Sequence, residues 1–278
     1  YGFELPFGAL FGYRLATFGV SYFTPGPHFG GEPLQVLLVE KEQQTPRSTA
    51  IAAMTLDKSL ELLINFLFLL TGVALILQQQ LLPTGVGTGV IIIILLLILV
   101  PVGYLMAIAR GGSPLWRLTG NAKRFAERHA NDVWQVRFGR TIGVVQSSEE
   151  DIGRFLKHSP AALIAAVLIS SAAWLVMIVE FWLMVSFLGA SMSAIQLVTA
   201  LTAARLAILL LLPAGLGALE ASQALAFGAI GLNPALGISA SLVIRARDVL
   251  LGGIGLWWGS RKLAARYTAD EADAKGDL

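Results

Sequence analysis

The sequence has 278 residues, 55% of them hydrophobic and 14% charged, with a mean hydropathy of +0.71 and a net charge of +2. A soluble domain carries about 25% charged residues, so composition excludes an ordinary soluble enzyme and points to an all-α polytopic membrane protein. There is no cysteine, which removes disulfides, thiolate metal sites and cysteine nucleophiles.

Apolar segments occur, in chain order, at Phe7–Phe23, Ser48–Gln80, Thr88–Ala109, Pro160–Leu188, Gln196–Leu212, Leu219–Ile230 and Ala235–Ser260. Between Glu61 and Arg110, and again between Lys157 and Glu180, no Asp, Glu, Lys or Arg occurs. A helix needs about 20 apolar residues to span the hydrocarbon core. Leu219–Ile230 is too short for that and reads as a re-entrant arm or a buried helix; Phe7–Phe23 and Gln196–Leu212 are borderline. The stretch Gly111–His158 carries Arg117, Lys123, Arg124, Arg128, Arg137, Arg140, Arg154 and Lys157, and the tail adds Arg261, Lys262, Arg266 and Lys275. The turns Leu81–Gly87 and Gly189–Ile195 carry no charge. The positive-inside rule therefore places the basic stretches and the C-terminus in the cytoplasm. Ser113-Pro114 reads as a helix start, and Leu115, Leu118, Ala122 and Phe125 follow at helical spacing. That segment is read as an interfacial amphipathic helix or as a helix packed on the ends of the spans.

Two short segments look alike. Pro25 and Glu32 of TPGPHFGGE match Pro213 and Glu220 of LPAGLGALE at a constant offset of 188. At the same offset Pro46 meets Pro234, and Asp57 meets Arg245. The helix after the first motif runs outward and the helix after the second runs inward, so the two units read as an inverted-topology repeat. Each unit carries a re-entrant helical hairpin, with tips at Pro25, Gly26, Gly30 and Gly31 and at Pro213, Gly215 and Gly217. Inverted repeats with interrupted short helices mark transporters and their binding sites, because unwound backbone survives at membrane depth only where protein or a water-filled cavity covers it. The expected organisation is one transmembrane domain. Repeat one covers residues 1–80 and is incomplete at its start, with at least one further helix expected before Tyr1. A linking span at 88–109, a cytoplasmic amphipathic segment at 111–158, repeat two at 160–262 and a cytoplasmic tail at 263–278 follow.

Ionisable residues within spans are costly and face a cavity or a partner. Here they are Arg14, Glu32, Asp57, Lys58, Glu61, Glu180, Arg205, Glu220, Arg245, Arg247 and Asp248. The expected substrate-binding set is Arg14, Glu32, Asp57, Lys58, Glu180, Arg205, Glu220, Arg245 and Arg247. Glu32 and Glu220 follow the Gly-rich tips, where a helix N-terminus favours a carboxylate; they read either as caps or as a cation or proton site. Arg245 lies roughly 15 Å along its helix at 1.5 Å per residue. Guanidinium groups at such depth suit a lipid phosphate, or else close ion pairs, such as Glu220 with Arg245, that fix the fold. His28 reads as a turn residue or a titrating group at the first tip. No catalytic residue, metal site or cofactor is expected, and no nucleic-acid partner.

PGPHFGGEP, followed by a helix with Leu56-Asp57-Lys58, resembles the proline-glycine-glycine-glutamate signature of the flippase-like family. That family includes the transmembrane region of lysylphosphatidylglycerol synthases and relatives linked to hopanoid and polyprenyl lipids. Leu212–Glu220 followed by Ile244-Arg245 resembles its second signature. The resemblance covers nearly the whole chain. It implies movement of a lipid, often with a charged head group, between leaflets of a prokaryotic cell membrane, with the bilayer and a separate lipid-modifying enzyme as partners. Pro27 and His28 depart from the usual small residues. No counterpart of the synthases' soluble aminoacyl-transfer domain is seen, so lysine transfer is not implied and the chain is read as no enzyme. Its competitors are a membrane-embedded transferase acting on a polyprenyl phosphate or phospholipid, and a channel.

Overall fold

The structure is a computed structural model that describes residues 6–24, 30–118, 132–208 and 217–276. Its described residues form helices and no strand. In chain order they are α1 (Phe7–Phe23), α2 (Glu32–Glu42), α3 (Arg47–Gln78), α4 (Thr84–Ala109), α5 (Asp132–His158), α6 (Pro160–Phe187), α7 (Ala194–Ile208), α8 (Ala218–Ala229) and α9 (Pro234–Gly276). Three of them, α3, α4 and α6, are long and apolar enough to cross a membrane. The expected span Ala235–Ser260 is not among these, because Arg245, Arg247 and Asp248 interrupt its apolar run. It also does not stop at Ser260: α9 continues to Gly276 through an Ala-rich stretch of good helix formers.

The chain divides into two compact units. The first holds α3, α4, α5 and most of α6. Its core is Ala52 and Leu56 of α3, Ile108 of α4 and Ile152 of α5, with Tyr104 and Phe155 packed against it. Phe68 and Trp174 join α3 to α6, their rings 4.9 Å apart. The outer faces of α4 and α6 stay apolar and uncovered, with Leu99, Val100, Leu168 and Ile169 more than half exposed. Apolar patches of that extent suit lipid rather than water. Helix α5 is amphipathic and lacks an apolar run long enough to betray it. It is held by polar contacts: Thr49 Oγ1 donates to Asp151 Oδ2 at 3.0 Å, and Asp151 pairs with Arg154.

The second unit holds α1, α2, α7, α8 and α9. Helices α1 and α9 pack along each other through small residues. A Cβ on Gly255 would run into the Leu15 carbonyl oxygen, one on Gly19 into the Gly252 carbonyl oxygen, and one on Gly12 into the Trp258 ring. Small residues let backbones approach where lipid offers no hydrophobic drive to associate. Tyr13 and Ala16 of α1 are buried in this seam with Leu38 of α2. At its end the Gln43 side-chain amide donates to the Tyr13 hydroxyl at 2.9 Å, and Lys262 lies 3.4 Å from Glu42. Helix α8 is tied to α7 by Gln223, fully buried, whose amide nitrogen donates to the Ala200 carbonyl at 2.9 Å.

Candidate functional site

The second unit brings charged side chains from two helices together with a tyrosine from a third. Gly217 precedes α8 with φ +79°, a left-handed conformation that glycine adopts without steric penalty. Glu220 sits in the first turn, and its Oε2 accepts the Gly217 N–H at 3.0 Å. Its other oxygen lies 2.6 Å from Arg245 Nη2 on α9, and the two side chains are 25% and 15% exposed. A carboxylate that caps a helix start while meeting a guanidinium is fixed from two sides, and the helix dipole adds to its stability.

Tyr22 of α1 hydrogen-bonds Arg245 and lies within the field of Glu220 and Asp248. Arg245 and Asp248 are three residues apart and so share a face of α9. Arg247 lies off that face but turns back, and its Nη2 is 2.7 Å from Asp248 Oδ1. Glu220, Arg245, Asp248, Arg247 and Tyr22 therefore form one partly buried cluster with both signs of charge. It can hold an anion on Arg245 if the carboxylate yields, and a cation on Glu220 or Asp248 if the guanidinium yields.

The first motif is built in a similar way. Glu32 opens α2, and its Oε2 accepts the Gly30 N–H at 2.7 Å. Gly31 is buried, donates its N–H to Ser21 Oγ at 2.9 Å, and leaves no room for a Cβ against the Thr17 carbonyl. The tip residues Pro25 and Gly26, with Pro27 and His28, lie outside the described residues, as do Pro213 and Gly215.

The other expected site residues lie on α1, α3, α6 and α7. Arg14 is exposed on α1, and Arg205 is half-buried on α7. In the first unit Asp57 is half-buried, Glu180 is exposed, and Lys58 pairs with Glu61 at 3.2 Å one turn along its own helix. Sequence reasoning left Tyr22 out of the site. An aromatic inside an apolar helix carries no signal until α1 is known to lie along α9. Asp248 was noted as an intramembrane charge but not assigned, although its i,i+3 spacing from Arg245 places the two on one helix face.

Only the start of the amphipathic helix expected from Ser113 lies among the described residues. Residues 114–118 are helical, and their start is capped from outside: the buried Glu149 carboxylate of α5 accepts the Leu115 N–H at 2.8 Å and the Trp116 N–H at 3.0 Å. Ala122, Lys123, Arg124, Phe125 and Arg128 lie outside the described residues.

Compared with known proteins, residues 1–255 match the family model described as Lysylphosphatidylglycerol synthase TM region. No curated protein and no solved structure matches. Together with the apolar helices, the family match makes this an integral membrane protein with a lipid-related role. It also corrects one expectation: the reading of the chain as no enzyme is overturned, because the family it matches is named for a synthase.

Proposed function

We propose that this chain, which belongs to the lysylphosphatidylglycerol synthase TM-region family, is a lipid flippase or lipid transporter that carries a lipid with a charged head group across the cell membrane. The observation that carries the reading is the Glu220–Arg245 pair. Its members are largely withdrawn from solvent, yet each retains capacity for another partner. A guanidinium presents five N–H donors in a fork that fits a phosphate. In the resting protein Glu220 occupies part of that fork. A lipid phosphate replaces it, and the carboxylate falls back on the Gly217 N–H, its helix start and any cation that travels with the lipid. Tyr22 stays bonded to Arg245 and keeps the guanidinium in place during the exchange.

The inverted repeat belongs to this reading. In its support, Pro46 is the N-cap of α3 and Pro234 the first residue of α9, a separation of 188 that Glu32 and Glu220 share. On this reading α1–α2 and α7–α8 are two hairpins entering from opposite faces, and the C-terminus is cytoplasmic. A second reading, a membrane-embedded transferase acting on the same lipid, is favoured by the family's name. There the cluster would hold the lipid phosphate while a second substrate approached.

The test is a leaflet-accessibility assay on proteoliposomes with labelled anionic and aminoacylated phospholipids. Intact protein is expected to move lipid, and Glu220→Gln and Arg245→Ala to lose that movement while staying folded. No movement of any lipid by folded intact protein, together with turnover of a lipid acceptor, would replace transport with transfer.

A further inference from the structure

A polar cavity lies in the first unit. Helix α4 ends in a tight reversal, with the Gly111 and Gly112 N–H groups each 2.8 Å from the Ile108 and Ala107 carbonyls. Between this reversal and the last turns of α5 opens a cavity of about 580 Å³, lined by Ser113, Glu149, Glu150, Arg154, Lys157 and His158 among others. That volume is in the range of small-molecule sites. Helix α4 ends at Ala109 and α6 begins at Pro160, and both are long and apolar enough to cross a membrane. The cavity therefore sits where two spans leave the hydrocarbon, at the level of lipid head groups.

Its charges are not equally committed. Glu149 is buried and bonded to two backbone N–H groups. Arg154 is paired with Asp151. Glu150 is exposed and, among the described residues, accepts the Gln146 side-chain amide at 3.1 Å, which leaves its charge intact. Lys157 is exposed and in no ion pair among the described residues, and His158 is exposed beside it, its Nδ1 3.0 Å from the Arg154 carbonyl. Glu150, Arg154 and Lys157 follow at i, i+4 and i+7 on one face of α5. A negative pole at Glu150 and a positive pole at Lys157, with the His158 ring beside it, are thus separated by about 10 Å of helix rise. Long side chains can close much of that distance.

We infer that this cavity seats the head group of a zwitterionic phospholipid, with its phosphate on Lys157 and His158 and its primary ammonium on Glu150. A purely anionic head group would face Glu150 with like charge. A quaternary ammonium would offer Glu150 no N–H. A soluble phosphoethanolamine carries the same two charges but has no acyl chains. Met106 and Ile164, each more than half exposed within about a turn of the span ends, offer those chains an apolar surface.

The experiment measures binding to the full chain in detergent by native mass spectrometry. The probes are phosphatidylethanolamine, phosphatidylcholine and phosphatidylglycerol of equal chain length, and soluble O-phosphoethanolamine. Phosphatidylethanolamine is expected to bind several-fold more tightly than the other two lipids. Glu150→Gln should erase its advantage over phosphatidylcholine. Lys157→Gln should weaken all three lipids about fivefold, the effect of one basic residue at a head group. Both side chains are exposed, and thermal melting checks that the variants fold. The inference is overturned if Glu150→Gln keeps the preference, if phosphatidylglycerol binds most tightly, or if soluble phosphoethanolamine displaces the lipid at equal concentration.

Discussion

Removing the charge of Glu220 gives a sharp test of the site, because the residue performs two separable tasks. Glu220→Gln keeps an oxygen for the Gly217 N–H but loses the ion pair with Arg245, whereas Glu220→Ala loses both. The pair spans 2.6 Å and its side chains are 25% and 15% exposed. Neutral hydrogen bonds between helices in membranes couple by roughly 0.6 kcal/mol. A hydrogen bond to a charged group contributes about 1.5–3 kcal/mol. The charge on both partners favours the second range, and partial access to solvent keeps the value below the 3–5 kcal/mol that follows breaking a fully buried pair. A double-mutant cycle of Glu220→Gln and Arg245→Gln should therefore give a coupling of about 2 kcal/mol. Glu220→Ala should cost about 1 kcal/mol more than Glu220→Gln, the worth of the lost cap. The assay is reversible unfolding in mixed maltoside and dodecyl sulfate micelles, followed by tryptophan fluorescence. Additive single effects, or an alanine variant no less stable than the glutamine variant, would refute the assignment of two tasks to one carboxylate.

Other consequences are checked as directly. Gly255→Val should drive its side chain into the Leu15 carbonyl region and destabilise the second unit by about 1–3 kcal/mol or more, read as a lower melting temperature in detergent. Ala16 and Gly259 face each other across the same seam. Paired cysteines at these positions should form an intrachain disulfide on oxidation, with no background in a protein that has no cysteine; an absent crosslink would mean that α1 does not lie on α9. Glu149→Gln should weaken the charge-assisted bonds to Leu115 and Trp116 by about 1–2 kcal/mol, seen as faster hydrogen exchange of those amides. Tyr22→Phe should slow lipid movement several-fold while shifting stability by no more than about 1 kcal/mol, the net worth of one hydrogen bond; unchanged transport would remove Tyr22 from the site.

Much of the helix layout was legible in the sequence, for a simple reason. Where an apolar run is bounded by proline, the helix starts or stops beside it. Phe7–Phe23 is predicted and observed with the same limits, and Pro46 and Pro234 mark the starts of α3 and α9 to within a residue. Helix α5 was legible only as part of an amphipathic segment and not by its bounds, because its charges fall among its apolar residues and it is stabilised by Asp151 and Glu149 reaching elements far away in sequence. The pairing of Glu220 with Arg245 could be anticipated from rare charges in apolar surroundings. The fate of Lys58 could not, since it pairs with Glu61 on its own helix. Arg247 shows the same effect, bonded to its neighbour Asp248.

The seam between α1 and α9 has a consequence for how the protein is made. Helix α1 is translated well before the glycines that receive it, Gly252, Gly255 and Gly259. Until α9 arrives, Tyr22 lacks its Arg245 partner and the bilayer offers no replacement, so α1 must wait in a protected place, at the insertion machinery or in the interfacial layer. The structure thus forbids a strictly sequential assembly. The later-made helix completes the earlier one, and a nascent chain stopped short of Gly252 exposes an incomplete α1 face, a natural mark by which quality control can tell unfinished copies from finished ones.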